Sequence, residues 1–112
     1  MESKWKEMYK SKLTTAEEAA KLVGSNMLIA SGAINGQAVA IGNALAERMA
    51  AGEVQNSRVL FSLSARPNGY HNPEIIQKCK ENNNILDAMY AGPLERYFLE
   101  QNFYSYVPHR LF

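Results

Sequence analysis

The sequence predicts an α/β fold, an open parallel sheet of about four strands with flanking helices. Two observations predict it. Four short apolar runs, "NMLIAS", "RVLFSLS", "ILDAMYAG" and "FYSYVP", alternate with segments whose apolar residues recur at helical spacing. Most of those segments open with a capping residue or a proline and close near glycine or asparagine. Strands that alternate with helices form parallel sheets with right-handed crossovers. At 112 residues, the chain supports a single domain spanning 1–112.

The elements follow in order. Trp5, Met8, Tyr9 and Leu13 share one face of a short helix, expected to dock on the body. Lys4, Lys6, Lys10 and Lys12 surround the aromatics as in a nucleic-acid patch, but Glu2 and Glu7 dilute the charge, and the amphipathic helix is the favoured reading. "TTAEEAAKLVG" opens with a capping box, Thr15 with Glu18 or Thr14 with Glu17. Ala16, Ala19, Ala20 and Val23 give that helix a small-residue face, and Gly24 suits its C-terminus. "NMLIAS" is a buried strand. After the loop "SGAINGQ", a helix carries Ala38, Ile41, Leu45 and Met49 as a stripe and closes at Gly52. The strand "RVLFSLS" precedes a turn-rich loop. Asn72 and Pro73 then start a helix with Ile75, Ile76 and Cys79 inward. "ILDAMYAG" is the third strand, despite Asp87. Pro93 opens a helix with Leu94, Tyr97, Phe98 and Gln101 at helical spacing, and "FYSYVP" is the fourth strand.

Composition excludes more than it assigns. The net charge of +1 calls for neither nucleic acid nor a membrane surface as partner. No apolar run reaches the ~18 residues of a spanning helix, and the N-terminus lacks a secretory apolar region. Cys79 is the sole cysteine, which excludes an intramolecular disulfide. A cytoplasmic protein is expected.

Ligands in such sheets bind beyond the carboxyl ends of the strands. Loops 31–37, 65–72, 91–93 and 108–110 should share that edge. "SGAINGQ" could hold an anion on backbone amides at a helix N-terminus. Its glycine spacing is neither the dinucleotide fingerprint nor a Walker loop, and spacing alone leaves a plain turn equally open. His71 and His109 lack acidic or cysteine partners and are expected as solvated loop residues, with no metal. No Gly-x-Ser-x-Gly frames Ser31, Ser62 or Ser64. Cys79 reads as a core residue. Nearly all of the ten glutamates are expected on helix surfaces or in first turns, with none in an apolar strand-end setting that would raise its pKa.

The run "WKEMYKSKLTTAEEAAKLVGSNMLIASG" resembles the start of the acetyl-CoA hydrolase/CoA-transferase family, and is most similar to the 4-hydroxybutyrate and butyryl-CoA:acetate CoA-transferases. Trp5, Tyr9, Lys12, Thr15 to Ala19, and Met27 to Ala30 carry the likeness, with "NALAERM" and "AGPLERYFLEQNFYSYVPHRL" collinear beyond them. The turn that commonly reads Ser-Gly-Asp in the family is "GSN" here. The resemblance implies an acyl-CoA-handling domain that moves coenzyme A from an acyl-CoA to a small carboxylate. In the family a glutamate attacks the thioester and a glycine loop stabilises the oxyanion. Both belong to a second domain and have no counterpart in this chain. The expected chain is therefore an N-terminal portion that is inactive alone, whose partners are the missing domain and copies of itself.

By the same resemblance, Gly32, Ala33, Ile34, Asn35, Gly36 and Gln37 face the acyl end of the substrate. Small residues admit substrate close to the backbone, Asn35 and Gln37 can hydrogen-bond a carboxylate, and Ile34 can wall an acyl chain. Arg66, His109 and Arg110, on the same predicted edge, could offset carboxylate or phosphate charge. The competing expectation is a stand-alone binding or assembly module for CoA, a nucleotide or a protein.

Overall fold

A computed structural model describes residues 3–108. His109 and Arg110 lie outside the described residues. Helices α1 (Lys4–Lys12) and α2 (Ala16–Ala20) precede strand β1 (Leu28–Ala30). A 3₁₀ turn, Ile34–Gly36, leads to α3 (Val39–Ala50), β2 (Arg58–Phe61), and a second 3₁₀ turn, Gly69–His71. Then come α4 (Pro73–Glu81), β3 (Ile85–Ala88), α5 (Pro93–Glu100) and β4 (Ser105–Tyr106).

The sheet order is β1-β2-β3-β4, and every pairing is parallel. The predicted open sheet of four parallel strands with flanking helices is the fold observed. Its strands are shorter than the apolar runs that announce them; β2 stops at Phe61, before Ser62 to Ser64. Local chemistry sets the helix starts as read. Thr15 caps α2 by accepting the Glu18 N–H at 3.1 Å, which selects one of the two capping registers. The Asn72 side chain caps α4 with Pro73 in its first turn. Gly52, at φ 84°, follows α3. Gly24 does not end α2, which stops at Ala20.

Strand order has a consequence for layering. When each parallel strand is added beside the last by a right-handed crossover, the helices accumulate on one face. On that face Val59, Phe61, Leu86 and Ala88 meet Leu45, Ala46 and Met49 of α3, Ile76 and Cys79 of α4, and Phe98 of α5. Phe61 joins Tyr70 and Tyr104 in an aromatic cluster, with centroids 5.0 and 5.1 Å away. Cross-strand register puts Leu28, Arg58 and Ile85 together on the opposite face, with Ala30, Leu60 and Asp87. That face is open: Leu28 is 69% and Ile85 43% exposed. Asp87 is buried there against Arg58, whose Nε lies 2.9 Å from Oδ2. The neighbouring strand thus offsets the charge that strained the strand assignment.

Helix α1 corrects an expectation. Its residues form the predicted helix, capped by Ser3, but none is buried, and Trp5 is 76% exposed. The apolar face has no layer beneath it. No helix among the described residues is long and apolar enough to cross a membrane.

Candidate functional site

Parallel strands place the segments that follow them on one edge, and the candidate site is there. The segment after β1 folds tightly. A Cβ on Gly32 would fall on the Gly36 carbonyl, so only glycine fits where the loop doubles back. The Ile34 N–H donates to the Leu63 carbonyl at 2.8 Å, tying this loop to the segment after β2. Ile34 itself has φ 47°. A β-branched residue in the left-handed region is a strained outlier, and such outliers concentrate at functional sites.

That tie closes a pocket of about 210 Å³ lined by Ile34, Gln37, Val39, Ala65 and Arg66. Three residues singled out from the sequence, Ile34, Gln37 and Arg66, converge on it. Ile34 supplies an apolar wall, Arg66 a cation, and Gln37 an amide. Gln37 Nε2 donates to Ser64 Oγ at 3.5 Å, while its Oε1 is buried without a hydrogen-bond partner. An orphaned acceptor beside a guanidinium suits a small ligand that carries negative charge and a donor. No side chain caps α3, whose first turn follows this loop.

The other predicted residues are placed differently. Gly32 lines a second, apolar cleft of about 110 Å³ with Ser31, Ala38, Ile41 and Tyr70 among its walls. Ala33 and Gly36 are exposed in the loop. Asn35 is the middle residue of the 3₁₀ turn. A larger groove of about 480 Å³ runs along α4 with Phe103 at one wall, away from the loop after β1. Among the described residues, no three His, Cys, Asp or Glu side chains gather as a metal site.

Two expectations about titratable residues are overturned. His71 is no solvated loop residue: its side chain is 4% exposed, packed 5.5 Å from the Phe98 ring and 6.4 Å from that of Tyr104. Burial lowers its pKa from the ordinary 6.5, and the nearby Glu95 carboxylate opposes that shift. Its Nδ1 accepts the Asn68 N–H at 3.0 Å, which places the neutral ring's proton on Nε2. Glu95 holds a first-turn position in α5, as expected of the glutamates, but it is not solvated: it is 1% exposed. Its Oε1 accepts the Ser64 N–H at 3.0 Å and lies 3.9 Å from His71 Nε2. Its Oε2 is buried without a partner, so close to Gly92 that a Cβ there would meet it at 2.8 Å. The stripe Leu94, Tyr97, Phe98 and Gln101 is likewise rotated: Glu95 and Phe98 are the buried positions of α5. The missed signal was Glu95 three residues before Phe98, on the same face. Cys79 is a core thiol as read, its pKa pushed up to about 11 by burial.

Fold and edge together define a one-sided parallel α/β layer with a small polar-ended pocket at the strand carboxyl ends. Solved structures share that layer. The crystal structure of RipA from Yersinia pestis matches at 22% identity and TM-score 0.68, over 96% of this chain and 26% of that one. Two RipA mutant structures match at TM-scores of 0.78, with 22% identity, and 0.70, with 24% identity, over the same shares. The chain therefore spans about a quarter of the length of these structures, and at such identity they show the fold alone. No family model matches the chain. No curated protein matches it either.

Proposed function

We propose that this chain is the N-terminal portion of an acyl-CoA:carboxylate CoA-transferase of the 4-hydroxybutyrate or butyryl-CoA:acetate type, working in the cytoplasm. It supplies part of the substrate-side wall. The observation that carries the reading is the convergence of Ile34, Gln37 and Arg66 on one pocket at the carboxyl edge. Collinear motifs that resemble the CoA-transferase family support it, as does a fold shared with a region of RipA.

The pocket fits one part of the substrate. At about 210 Å³ it is smaller than the ~300–1,000 Å³ of sites that enclose a drug-sized ligand. It suits an acyl or carboxylate end, and the nucleotide of coenzyme A would lie on other parts of the enzyme. Arg66 would face the carboxylate, Gln37 would orient it, and Ile34 would wall the acyl chain.

Transfer needs an accessible carboxylate to take the acyl group. Glu95 does not meet that need, being buried with Oε1 engaged by Ser64. In this reading the attacking glutamate comes from the remainder of the enzyme, as the family resemblance implies, and the isolated chain is inactive. The chain incubated with butyryl-CoA and acetate should give no acyl exchange. Sustained turnover would overturn the proposal.

A second reading has one observation in its favour. The open sheet face and the apolar stripe of α1 suit an assembly module that binds protein, with self-association as the simplest form. The two readings separate by binding. Butyryl-CoA should shift NMR signals of Ile34, Gln37 and Arg66 in the first and leave them unmoved in the second.

A further inference from the structure

We propose that Glu95 and His71 form a positioning pair for the candidate pocket, and that the charge on His71 is transmitted through Glu95 and Ser64 to Gln37. The inference rests on reading the 34–37 loop and Arg66 as the substrate wall, but the coupling itself is testable without ligand.

The argument starts from one oxygen. Glu95 Oε1 accepts the Ser64 N–H at 3.0 Å and also lies 3.9 Å from His71 Nε2. The second distance is too long for a hydrogen bond and short enough for a strong charge interaction at a site this dry. With His71 neutral, Oε1 serves Ser64. Protonation adds a proton at Nδ1, which ends the bond from the Asn68 N–H; the released imidazolium then draws Oε1 with its Nε2–H and full charge, and the bond that this oxygen accepts from Ser64 weakens.

Ser64 is one step from the pocket in two directions. Its Oγ accepts from Gln37 Nε2 at 3.5 Å. Its chain neighbours Ala65 and Arg66 both line the cavity. Movement at Ser64 therefore reaches three of the pocket's walls.

The ring has few places to go. The Asn68 N–H holds only the neutral ring, and once that bond is lost Phe98 of α5 and Tyr104, packed against the ring, confine its movement. The titratable groups packed around it are Glu95 from α5, Tyr104 ahead of β4, and Tyr70 in its own turn. Burial raises both phenols, so they stay neutral while His71 titrates. The Tyr104 hydroxyl is engaged by the Tyr70 carbonyl. The other oxygen of Glu95, Oε2, lies where a Cβ on residue 92 would meet it at 2.8 Å, so the glycine leaves room for the carboxylate.

The test is a pH titration of the full chain by ¹H–¹⁵N NMR. The Ser64 amide and the Gln37 side-chain amide should shift with the midpoint of the His71 ring signals, below the ordinary 6.5. In Glu95→Gln, with the fold verified by circular dichroism, the His71 midpoint should fall further and the response at Ser64 and Gln37 should vanish. If that variant does not fold, His71→Gln should abolish the same response in the same pH window. Silence at Ser64 and Gln37 in the parent chain, or an undiminished response in either folded variant, overturns the proposal. Adding butyryl-CoA separates the two levels: an intact pH coupling without ligand-induced shifts would leave this pair standing and sink the pocket's assignment.

Discussion

Ile34 allows a measurement in which the sign alone decides. At an ordinary position, replacing alanine by glycine costs about 0.5–1 kcal/mol, because glycine has more backbone freedom to lose. At a left-handed position the order reverses, since any Cβ meets the following carbonyl at a cost of roughly 1–2 kcal/mol. Ile34 sits at φ 47°, and its side chain is about half exposed. Ile34→Ala keeps the backbone cost and gives up about half the ~1.5–3 kcal/mol of a fully buried isoleucine. Ile34→Gly loses the same contacts and is released from the strain. Subtracting the two variants cancels the lost burial. The glycine variant should be the more stable by roughly 0.8 kcal/mol, the middle of the range that the two costs leave. In a domain of about this size that is roughly 2–8 °C in Tm. Urea unfolding at equal m-values is the assay. An alanine variant as stable as the glycine variant would refute the strained geometry, and with it the claim that the pocket wall is held under strain.

Other outcomes follow from the same coordinates. Because the folded state lowers the His71 pKa, the unfolded chain binds the proton more readily; stability should be full above 6.5 and fall as pH drops from there through the folded value. Urea midpoints at a series of pH values check this, and the slope should shrink in His71→Gln. The Cys79 thiol, raised to about 11, should resist Ellman's reagent at pH 8 until the chain is unfolded; rapid labelling of folded protein would contradict its burial. Arg66→Ala should leave unfolding within about 0.5 kcal/mol of the parent, since the residue is exposed, while weakening carboxylate binding by about 10-fold or more. Leu28→Lys, on the open sheet face, should lower any self-association seen by sedimentation, and unchanged association would move the contact elsewhere.

The fold was legible because its signals are local. Thr15, Asn72, Pro73 and Pro93 mark helix starts through contacts within one turn, and short apolar runs mark strands by length. From those, a parallel sheet with its ligand-side loops on one edge follows, while the order β1-β2-β3-β4 is set by packing that the alternation alone does not specify. The docking of α1 was not legible for the complementary reason. Spacing shows that Trp5, Tyr9 and Leu13 share a face, but whether this chain supplies a surface for that face is a property of the whole assembly. Asp87 is an intermediate case. Its partner Arg58 lies on the next strand, 29 residues away, and only register brings them together.

The buried pair was missed for a similar reason. His71 sits in a turn-rich segment, where exposure is the ordinary expectation, and what buries it comes from Phe98 and Tyr104 far along the chain. Glu95 left a faint local trace in its spacing to Phe98. Its contact with the Ser64 N–H spans 31 residues and has none.

The loop "SGAINGQ" left two readings open, a ligand turn or a plain connection, and its backbone now weighs on that choice. A tight turn with one left-handed position is most easily met by glycine or asparagine. This loop contains both, yet it places Ile34 at φ 47° and the asparagine one residue later. Gly36, by contrast, has nothing within 4 Å of where a Cβ would stand. A sequence fitted only to make the connection would put the permissive residue where the strain is. Here the strained position carries an apolar side chain that lines the same pocket as Arg66. In the proposed reading the side chain at 34 is kept for its contact with what enters the pocket, and the backbone cost is held in place by the Leu63 carbonyl and the fold around it.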